Sequence, residues 1–467
     1  MNSRTPIRIE ELNTPRDIRR AVLRLSWPVI AQNFLHTCMF FADTLMVGRY
    51  SVDSLAAVGI AMPVFFSITS VLMAISIGTV ATVSRATGER DEKKVGENAG
   101  ASLWFAVVLG TVVSVLGFVF APQIVAVFAG ENKLGAGVAL EALGYFRIVF
   151  ATFMCSVITF SATAILRGIG DTKTPMHVSL IANIANIFGN YVLIFGAFGL
   201  PALGLWGAAI STSLCRILEM SLISLALFSK HSFVKFRLRQ LLRTSNEAVK
   251  RLVKVSVPAA VEPLVMHTGF LVYTYAVASL GASVLAAHRV AITIESISFM
   301  PGMGIAIACS AIVGQCLGAG SPEHARSGLR ESTRLAVWGM TFIGLLFVLF
   351  SRELASLFFG RDMQAMACSR DCLLDLAAGA IALGAIQQPF LALTMVHVGA
   401  LRGAGDTVSP VVVAAIGVWL VRVPLSIMLA KSHGLMGIWF TTGIDWAARA
   451  LVAWALFRGG RWRRVRL

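Results

Sequence analysis

Leu166-Arg-Gly-Ile-Gly-Asp-Thr-Lys-Thr-Pro175 returns as Leu401-Arg-Gly-Ala-Gly-Asp-Thr-Val-Ser-Pro410, each copy ending one long apolar segment and beginning the next. A duplication should hold a nearly constant offset through segments that share no such motif, and this chain does. Ser26-Trp-Pro28 meets Ser256-Val-Pro258, Leu55-Ala-Ala57 meets Leu285-Ala-Ala287, and Val83-Ser-Arg85 with Gly88 meets Val313-Gly-Gln315 with Gly318, all displaced by 230 residues. The ten-residue signature is displaced by 235, so the second copy has gained a few residues, most simply in a loop.

With 57% hydrophobic and 14% charged residues and a mean hydropathy of +0.77, most of the chain is too apolar to be the surface of a soluble globule. An all-α integral membrane protein is expected. Stretches of roughly 20 or more residues with few charges, each able to cross about 30 Å of hydrocarbon as a helix, fall near 25–48, 54–82, 99–128, 137–166, 176–197 and 204–228. The second copy supplies 255–279, 285–313, 335–359, 373–400, 411–430 and 435–457. Six spans per repeat is an even number, so both halves start from the same side of the membrane and are related by an axis along its normal. The expected domains are an N-lobe over 1–228, a basic linker over 229–252 and a C-lobe over 253–467.

Lys and Arg in short loops are retained on the cytoplasmic side. The loops on the side of both termini hold roughly 28 of them, against roughly six on the other side. They include the Arg cluster at 16–20, the stretch from Lys230 to Lys254, and the tail Arg461-Trp-Arg-Arg-Val-Arg466. Both termini are therefore expected in the cytoplasm, in the cytoplasmic (inner) cell membrane. The net charge of +16 follows from this asymmetry rather than from nucleic-acid binding, because the charges are scattered over short loops. Basic loops also attract anionic lipid headgroups, making membrane lipids expected partners. Residues 1–20 read as no cleavable signal. Most of the seven cysteines, among them Cys38, Cys155, Cys215 and Cys309, lie inside spans as small apolar fillers. Cys368 and Cys372, one helical turn apart, are expected as free thiols.

The repeated signature suits a tight cytoplasmic hairpin. Its first Gly fits a left-handed helix C-cap, and its Arg complements the dipole of the ending helix. Asp and Thr then offer N-cap oxygens to the next helix, whose first turn accepts Pro175 or Pro410. Gly-x-Gly-Asp is also a mark of intramembrane aspartyl proteases, and Pro201-Ala-Leu203 resembles their second motif. Those enzymes need a partner aspartate in a Tyr-Asp pair on an earlier span, and no Tyr-Asp occurs in this sequence. No enzyme is expected, and without a Gly-x4-Gly-Lys-Ser/Thr loop ATP does not drive the protein directly.

In order along the chain, Pro28 and Pro258 open the first span of each half, Asp43-Thr-Leu-Met-Val-Gly48 closes span one, and Leu-Ala-Ala begins spans two and eight. Val313-Gly-Gln-Cys-Leu-Gly318 ends span eight, and Leu-Arg-Gly-x-Gly-Asp-Thr follows spans four and ten. Over nearly its whole length the chain thereby resembles the multidrug and toxic compound extrusion (MATE) family, and within it the DinF-like branch. The resemblance implies twelve helices in two pseudo-symmetric six-helix bundles forming a V around a central cavity. That cavity would open alternately inward and outward, driven by proton or sodium inflow. It also implies a coupling carboxylate at the position of Asp43, with polar partners on span five. The NorM-like branch additionally uses carboxylates on spans seven and ten.

Asp43 lies six residues before Arg49, about 9 Å below the external boundary along a helix. An ionised carboxylate there costs at least about 3 kcal/mol, and burial disfavours the charged form, which equips Asp43 to exchange a proton. The matching residue of the second repeat is Tyr273, so the fold does not require the acid. Asn183, Asn186 and Asn190 share one stripe of span five. Asn186 and Asn190 match the family's polar partners, Asn190 standing where one family pattern has Asp, and Thr212 on span six is a further candidate ligand. One carboxylate among amides suits a proton better than sodium, though Asp43, Asn186 and Asn190 remain a candidate Na+ site through their hard oxygens. In the second lobe Glu262, matching Gln32, and His267 are candidates for coupling or cation binding. Gln387-Gln-Pro-Phe-Leu391 occupies the place of the NorM-like span-ten acid. His36, two turns before Asp43, is a candidate proton relay, and Pro28 a candidate hinge. Glu295, Arg289, Asp375, Asp445 and Arg449 are expected to pair between helices.

The expected function is export of small amphipathic organic cations by antiport with protons, or with sodium, through alternating access. The protein is expected to act as a monomer without a cofactor. The 29 Phe and 17 Met are enough to line an adaptable apolar cavity. The competing transport reading is a flippase for lipid-linked precursors, which arginines at Arg147, Arg216 and Arg422 would favour through phosphate recognition.

Overall fold

The computed structural model describes residues 14–132, 135–229, 245–359 and 369–465; residues 230–244 of the expected linker and Cys368 fall outside them. Regular structure among the described residues is helical throughout. The first repeat supplies α1 (Pro15–Tyr50), α2 (Val52–Gly88), α3 (Glu92–Asn132), α4 (Ala136–Ala151), α5 (Phe153–Ile169), α6 (Lys173–Phe195) and α7 (Gly204–Phe228). The second supplies α8 (Asn246–Ala278), α9 (Ala282–Gly318), α10 (Pro322–Leu349), α11 (Ser351–Ser356), α12 (Arg370–Gly403), α13 (Val408–Ala415), a π-helical stretch Ile416–Arg422, and α14 (Val423–Arg458).

Among the described residues nine helices are long and apolar enough to cross a membrane, ten when α4 and α5 are taken as one span bent by 45°. The expected twelve differ from this tally by two physical features. The apolar run of α1 is interrupted by Gln32, Asn33, His36 and Asp43, which keeps it out of the nine. The continuous stretch Val408–Arg458 counts once, although Gly434 leaves helical geometry at φ 57° and ψ −137° and divides it into the two expected spans. Hydropathy alone treats span four as straight. The bend lies at Thr152, where the helix is interrupted between α4 and α5.

Packing divides the chain within the first helix of each repeat rather than in the linker. Residues 31–256 form one compact unit, and residues 14–30 with 257–465 form the other. The cuts fall within three residues of Pro28 and two of Pro258, where proline removes a ladder hydrogen bond. In the second unit Ile18, Val22 and Leu25 pack with Ile305, Ile312 and Leu401. In the first, Phe65 is surrounded by the rings of Tyr145, Phe146, Phe150 and Phe153.

Both copies of the signature form the expected hairpin, with its two glycines exchanged in role. The second glycine is left-handed, Gly170 at φ 96° and Gly405 at φ 87°. The N–H groups of Asp171 and Asp406 close the turn onto the carbonyls of Leu166 and Leu401 at 2.8 and 2.9 Å, as in a Schellman cap. The first glycine instead permits helix contact. A Cβ on Gly168 would lie 3.0 Å from Val83 Cβ, and one on Gly403 would lie 2.1 Å from the Ser310 carbonyl oxygen. Asp171 receives the Thr174 N–H at 3.0 Å, and Asp406 receives the Ser409 N–H at 3.1 Å. Thr172, expected to share the capping, makes no side-chain cap bond.

Cys372 is disulfide-bonded, which corrects the expectation of two free thiols. Cys38, Cys155, Cys215, Cys309 and Cys316 are free.

Candidate functional site

Three helices of the unit over 31–256 each present one polar stripe. Separations of four, seven and eleven residues return to nearly the same helix face. On that rule α1 aligns Gln32, His36 and Asp43, α6 aligns Ser179, Asn183, Asn186 and Asn190, and α7 aligns Thr212, Arg216 and Glu219.

At one end of these stripes the structure joins the residues expected from sequence. The Asn190 side-chain amide donates to Asp43 Oδ1 and to Asn186 Oδ1 at 3.2 Å. Asn186 Nδ2 reaches Thr212 Oγ1 at 3.5 Å, a long contact. Asn186 and Asn190 are buried, whereas Asp43 is half-buried. Asn190 Oδ1 is buried without a hydrogen-bond partner. Arg216 and Tyr145 lie within electrostatic reach of Asp43. Among the described residues Arg216 makes no ion pair; its guanidinium rests 5.7 Å from the Phe153 ring centroid. No group of three or more His, Cys, Asp or Glu side chains is placed to hold a metal ion among the described residues.

A second polar cluster occupies the hairpin end of the same stripes. Arg167, from the repeated signature, donates through Nη2 to Gln32 Oε1 at 2.8 Å. Gln32 Nε2 donates to Ser179 Oγ at 2.8 Å, and the Ser179 hydroxyl donates to Glu219 Oε1 at 2.9 Å. The motif Arg therefore does more than complement a helix dipole: it begins a chain of three directed hydrogen bonds ending on a carboxylate. The sequence reading missed Glu219. Its signal was present, because Arg216 and Glu219 are two charges three residues apart inside an otherwise apolar span.

The other unit arranges the equivalent positions differently. Arg402 Nη2 contacts Glu262 Oε2 directly at 2.7 Å, so the Glu262 candidate is held by a guanidinium. His267 is half-buried on α8. Tyr273 helps line a cavity of about 240 Å3 with Phe270, Glu295, Arg422, Trp439 and Trp446. Glu295 accepts a hydrogen bond from Gln387, the residue standing where a second acid was sought. Arg449 grips Asp445 with two bonds of 2.7 and 2.8 Å, and Arg422 Nε lies 2.7 Å from Asp445 Oδ2. Arg422 ends the π-helical stretch, a local widening often found at functional positions. Asp375 pairs with Arg352 at 3.3 Å.

A family model described as MatE matches residues 28–192 and again 258–428, the two copies recognised from the repeat. The chain is 30% identical over 451 residues to "Probable multidrug resistance protein NorM" of Thermotoga maritima, covering 96% of this chain and 94% of that relative. It is likewise 30% identical over 434 residues to "Multidrug resistance protein NorM" of Burkholderia vietnamiensis, with 92% of each covered. Among solved structures, a MOP superfamily transporter from Pyrococcus furiosus superposes with a TM-score of 0.85 at 22% identity over 96% of this chain and 97% of that one. A mutant of the Vibrio cholerae MATE transporter VcmN superposes at 0.84 and 17% identity over 96% and 97%. At those identities the likeness concerns the fold. The chain belongs to the MatE family and is a multi-pass membrane transporter.

Proposed function

We propose that this protein is a multidrug exporter that extrudes amphipathic organic cations by antiport with protons, with Asp43 as the coupling acid. The observation that carries the reading is the setting of Asp43. It lies inside a membrane helix, hydrogen-bonded by the neutral amide of Asn190, and among the described residues it has no contacting cation. A carboxylate held only by neutral donors is free to take up and release a proton, whereas an ion-paired one is fixed in its charged form.

The proton preference rests on the single carboxylate of this cluster. Sodium would need several oxygens turned inward; the unpartnered Asn190 Oδ1 and Thr212 Oγ1 are two such donors. The lone acid on span one also supports the DinF-like branch over the NorM-like one. Both termini are placed in the cytoplasm by the Lys and Arg asymmetry, in the cell membrane, with a monomer as the working form. Pro28 serves as the hinge of α1, close to where the two compact units divide. A flippase is less favoured, because Arg147 and Arg216 rest on the rings of Phe118 and Phe153 and Arg422 on Asp445.

Asp43→Asn should abolish substrate efflux driven by a pH gradient in proteoliposomes while leaving the melting profile of the purified protein intact. Undiminished efflux by the variant overturns the coupling assignment. Wild-type transport should follow an imposed pH gradient in sodium-free buffer, and strict dependence on sodium would replace the proton by that ion.

A further inference from the structure

We infer that Glu219 is a second proton station of the 31–256 unit, receiving the proton taken up at Asp43 and passing it on toward the hairpin end. This rests on the reading of Asp43 as the coupling acid and adds a route to it.

The geometry is a polar seam running the length of three spans. Asp43, Asn190, Asn186 and Thr212 form its one end, and Glu219, Ser179, Gln32 and Arg167 the other. On α6 the two ends are marked by Asn190 and Ser179, about 16 Å apart along the helix. Between them the seam holds Asn183, whose Nδ2 is buried without a partner, together with His36 and Arg216. His36 is exposed on α1, and both Glu219 and Arg167 act on it electrostatically. Cys215 and Arg216, on α7 between Thr212 and Glu219, each feel Asp43 and Glu219 together.

Among the described residues, the groups that feel Glu219 electrostatically include His36 from α1 and Cys215 and Arg216 from its own helix, and Arg167 from α5 heads the hydrogen-bond chain that ends on it. None of them makes an ion pair with Glu219 among the described residues, and its contact is the Ser179 hydroxyl. Glu219 therefore shares the property that singled out Asp43, a carboxylate inside a span with a neutral donor. The chain Arg167, Gln32, Ser179 donates toward it at each link, which positions the carboxylate. In the transfer, the O–H bond of protonated Asp43 breaks and an O–H bond forms on Glu219, with water carrying the proton over the roughly 10 Å along α1 between Asp43 and His36 and the His36 ring nitrogen as the intermediate acceptor and donor. Asp43 is left ionised, and Glu219 then gives the proton to water at the hairpin end.

Glu219→Gln keeps an acceptor for Ser179 and removes the titrating group. The variant should lose pH-gradient-driven uptake into proteoliposomes by tenfold or more while retaining substrate counterflow, which needs no net proton transfer. Glu219→Asp should restore part of the driven uptake. In infrared difference spectra between acid and alkaline pH, the wild type should show two protonated-carboxyl bands, one lost in Asp43→Asn and the other in Glu219→Gln. Driven uptake and a pH profile equal to wild type in Glu219→Gln overturn the proposal, provided Asp43→Asn is inactive in the same assay. If Asp43→Asn is itself active, the coupling reading fails first. Should Glu219→Gln not fold, Ser179→Ala keeps the acid and cuts its link. It should shift the pH profile of driven uptake, and an unchanged profile counts against the station.

Discussion

The two units begin from one ancestral arrangement and dispose of most of their embedded charge differently. In the unit containing 257–465, three carboxylates are neutralised by contact, Glu262 by Arg402, Asp445 by Arg449 and Arg422, and Glu331 by Arg19 and Arg334, while Glu295 meets the neutral amide of Gln387. In the unit over 31–256 they meet neutral donors: Asp43 meets Asn190, Glu219 meets Ser179 and Glu141 meets Ser54. The shared landmark is the Arg of the repeated signature. Arg402 reaches its carboxylate in one step, whereas Arg167 reaches Glu219 only through Gln32 and Ser179. A second exchange lies at Asp43 and Phe65, whose counterparts 230 residues on are Tyr273 and Glu295; acid and aromatic have traded helices. On the last span Gly204-Leu-Trp206 matches Gly437-Ile-Trp439, which sets Thr212 and Arg216 against Asp445 and Arg449. Arg449 has its acid one turn away on its own helix, and Arg216 has none there. One unit pairs most of its embedded charges with guanidinium groups, Glu295 excepted, and the other sets them against neutral donors.

The largest effect that tests this contrast is expected from Asp445→Ala. Asp445 is fully buried, and Arg449 is nearly so. Removing the acid strands two guanidinium groups, and breaking a buried pair in this manner costs about 3–5 kcal/mol. Thr212→Ala, the matching change in the other unit, removes one long hydrogen bond and should cost less than about 1 kcal/mol. Thermal unfolding of the two variants in detergent measures the difference; equal destabilisation would break the contrast between the two units.

Next in size is the first glycine of each signature. A Cβ on Gly403 would fall against backbone, the Ser310 carbonyl, while one on Gly168 would fall at the tight edge of ordinary contact with Val83. Backbone cannot rotate aside as a side chain can, so Gly403→Ala should cost at least the roughly 1–3 kcal/mol of an overpacked core. Gly168→Ala should stay near the low end of that range. A smaller loss for Gly403→Ala than for Gly168→Ala, read from the same melts, would show that α12 slides over α9 more easily than α5 over α2.

These glycines also mark how far sequence could reach. The duplication, its offset, the helical spans and the cluster around Asp43 were legible because each depends on residue type and spacing. Which glycine turns left-handed was not, because both fit a C-cap locally and the choice is made by what Gly168 and Gly403 press against. The bend at Thr152 and the break at Gly434 were hidden for a similar reason: hydropathy sums over a window and is blind to a single dihedral. Glu219 escaped because its partner Ser179 lies 40 residues away on another helix. A lone acid three residues from an Arg invites the reading of a local ion pair, which the structure does not form. The disulfide at Cys372 depends on side-chain geometry that the sequence leaves open.

The smallest and most discriminating change is Glu262→Gln, which writes Gln32 of the first repeat into the second. A glutamine oxygen still accepts from Arg402 Nη2, so the hydrogen bond survives and the charge attraction is lost. Arg402 is 30% exposed and Glu262 13%, which places the pair between the surface and buried limits, and a loss of about 1 kcal/mol in thermal unfolding is expected. Transport driven by a pH gradient should persist, because Glu262 is paired with Arg402 and lies outside the Asp43 cluster. If Glu262→Gln instead abolished driven transport as completely as Asp43→Asn, Glu262 would be a carrier in its own right. The two units would then divide the coupling between them, and the neutral setting of Asp43 would no longer be what distinguishes a working acid from a structural one.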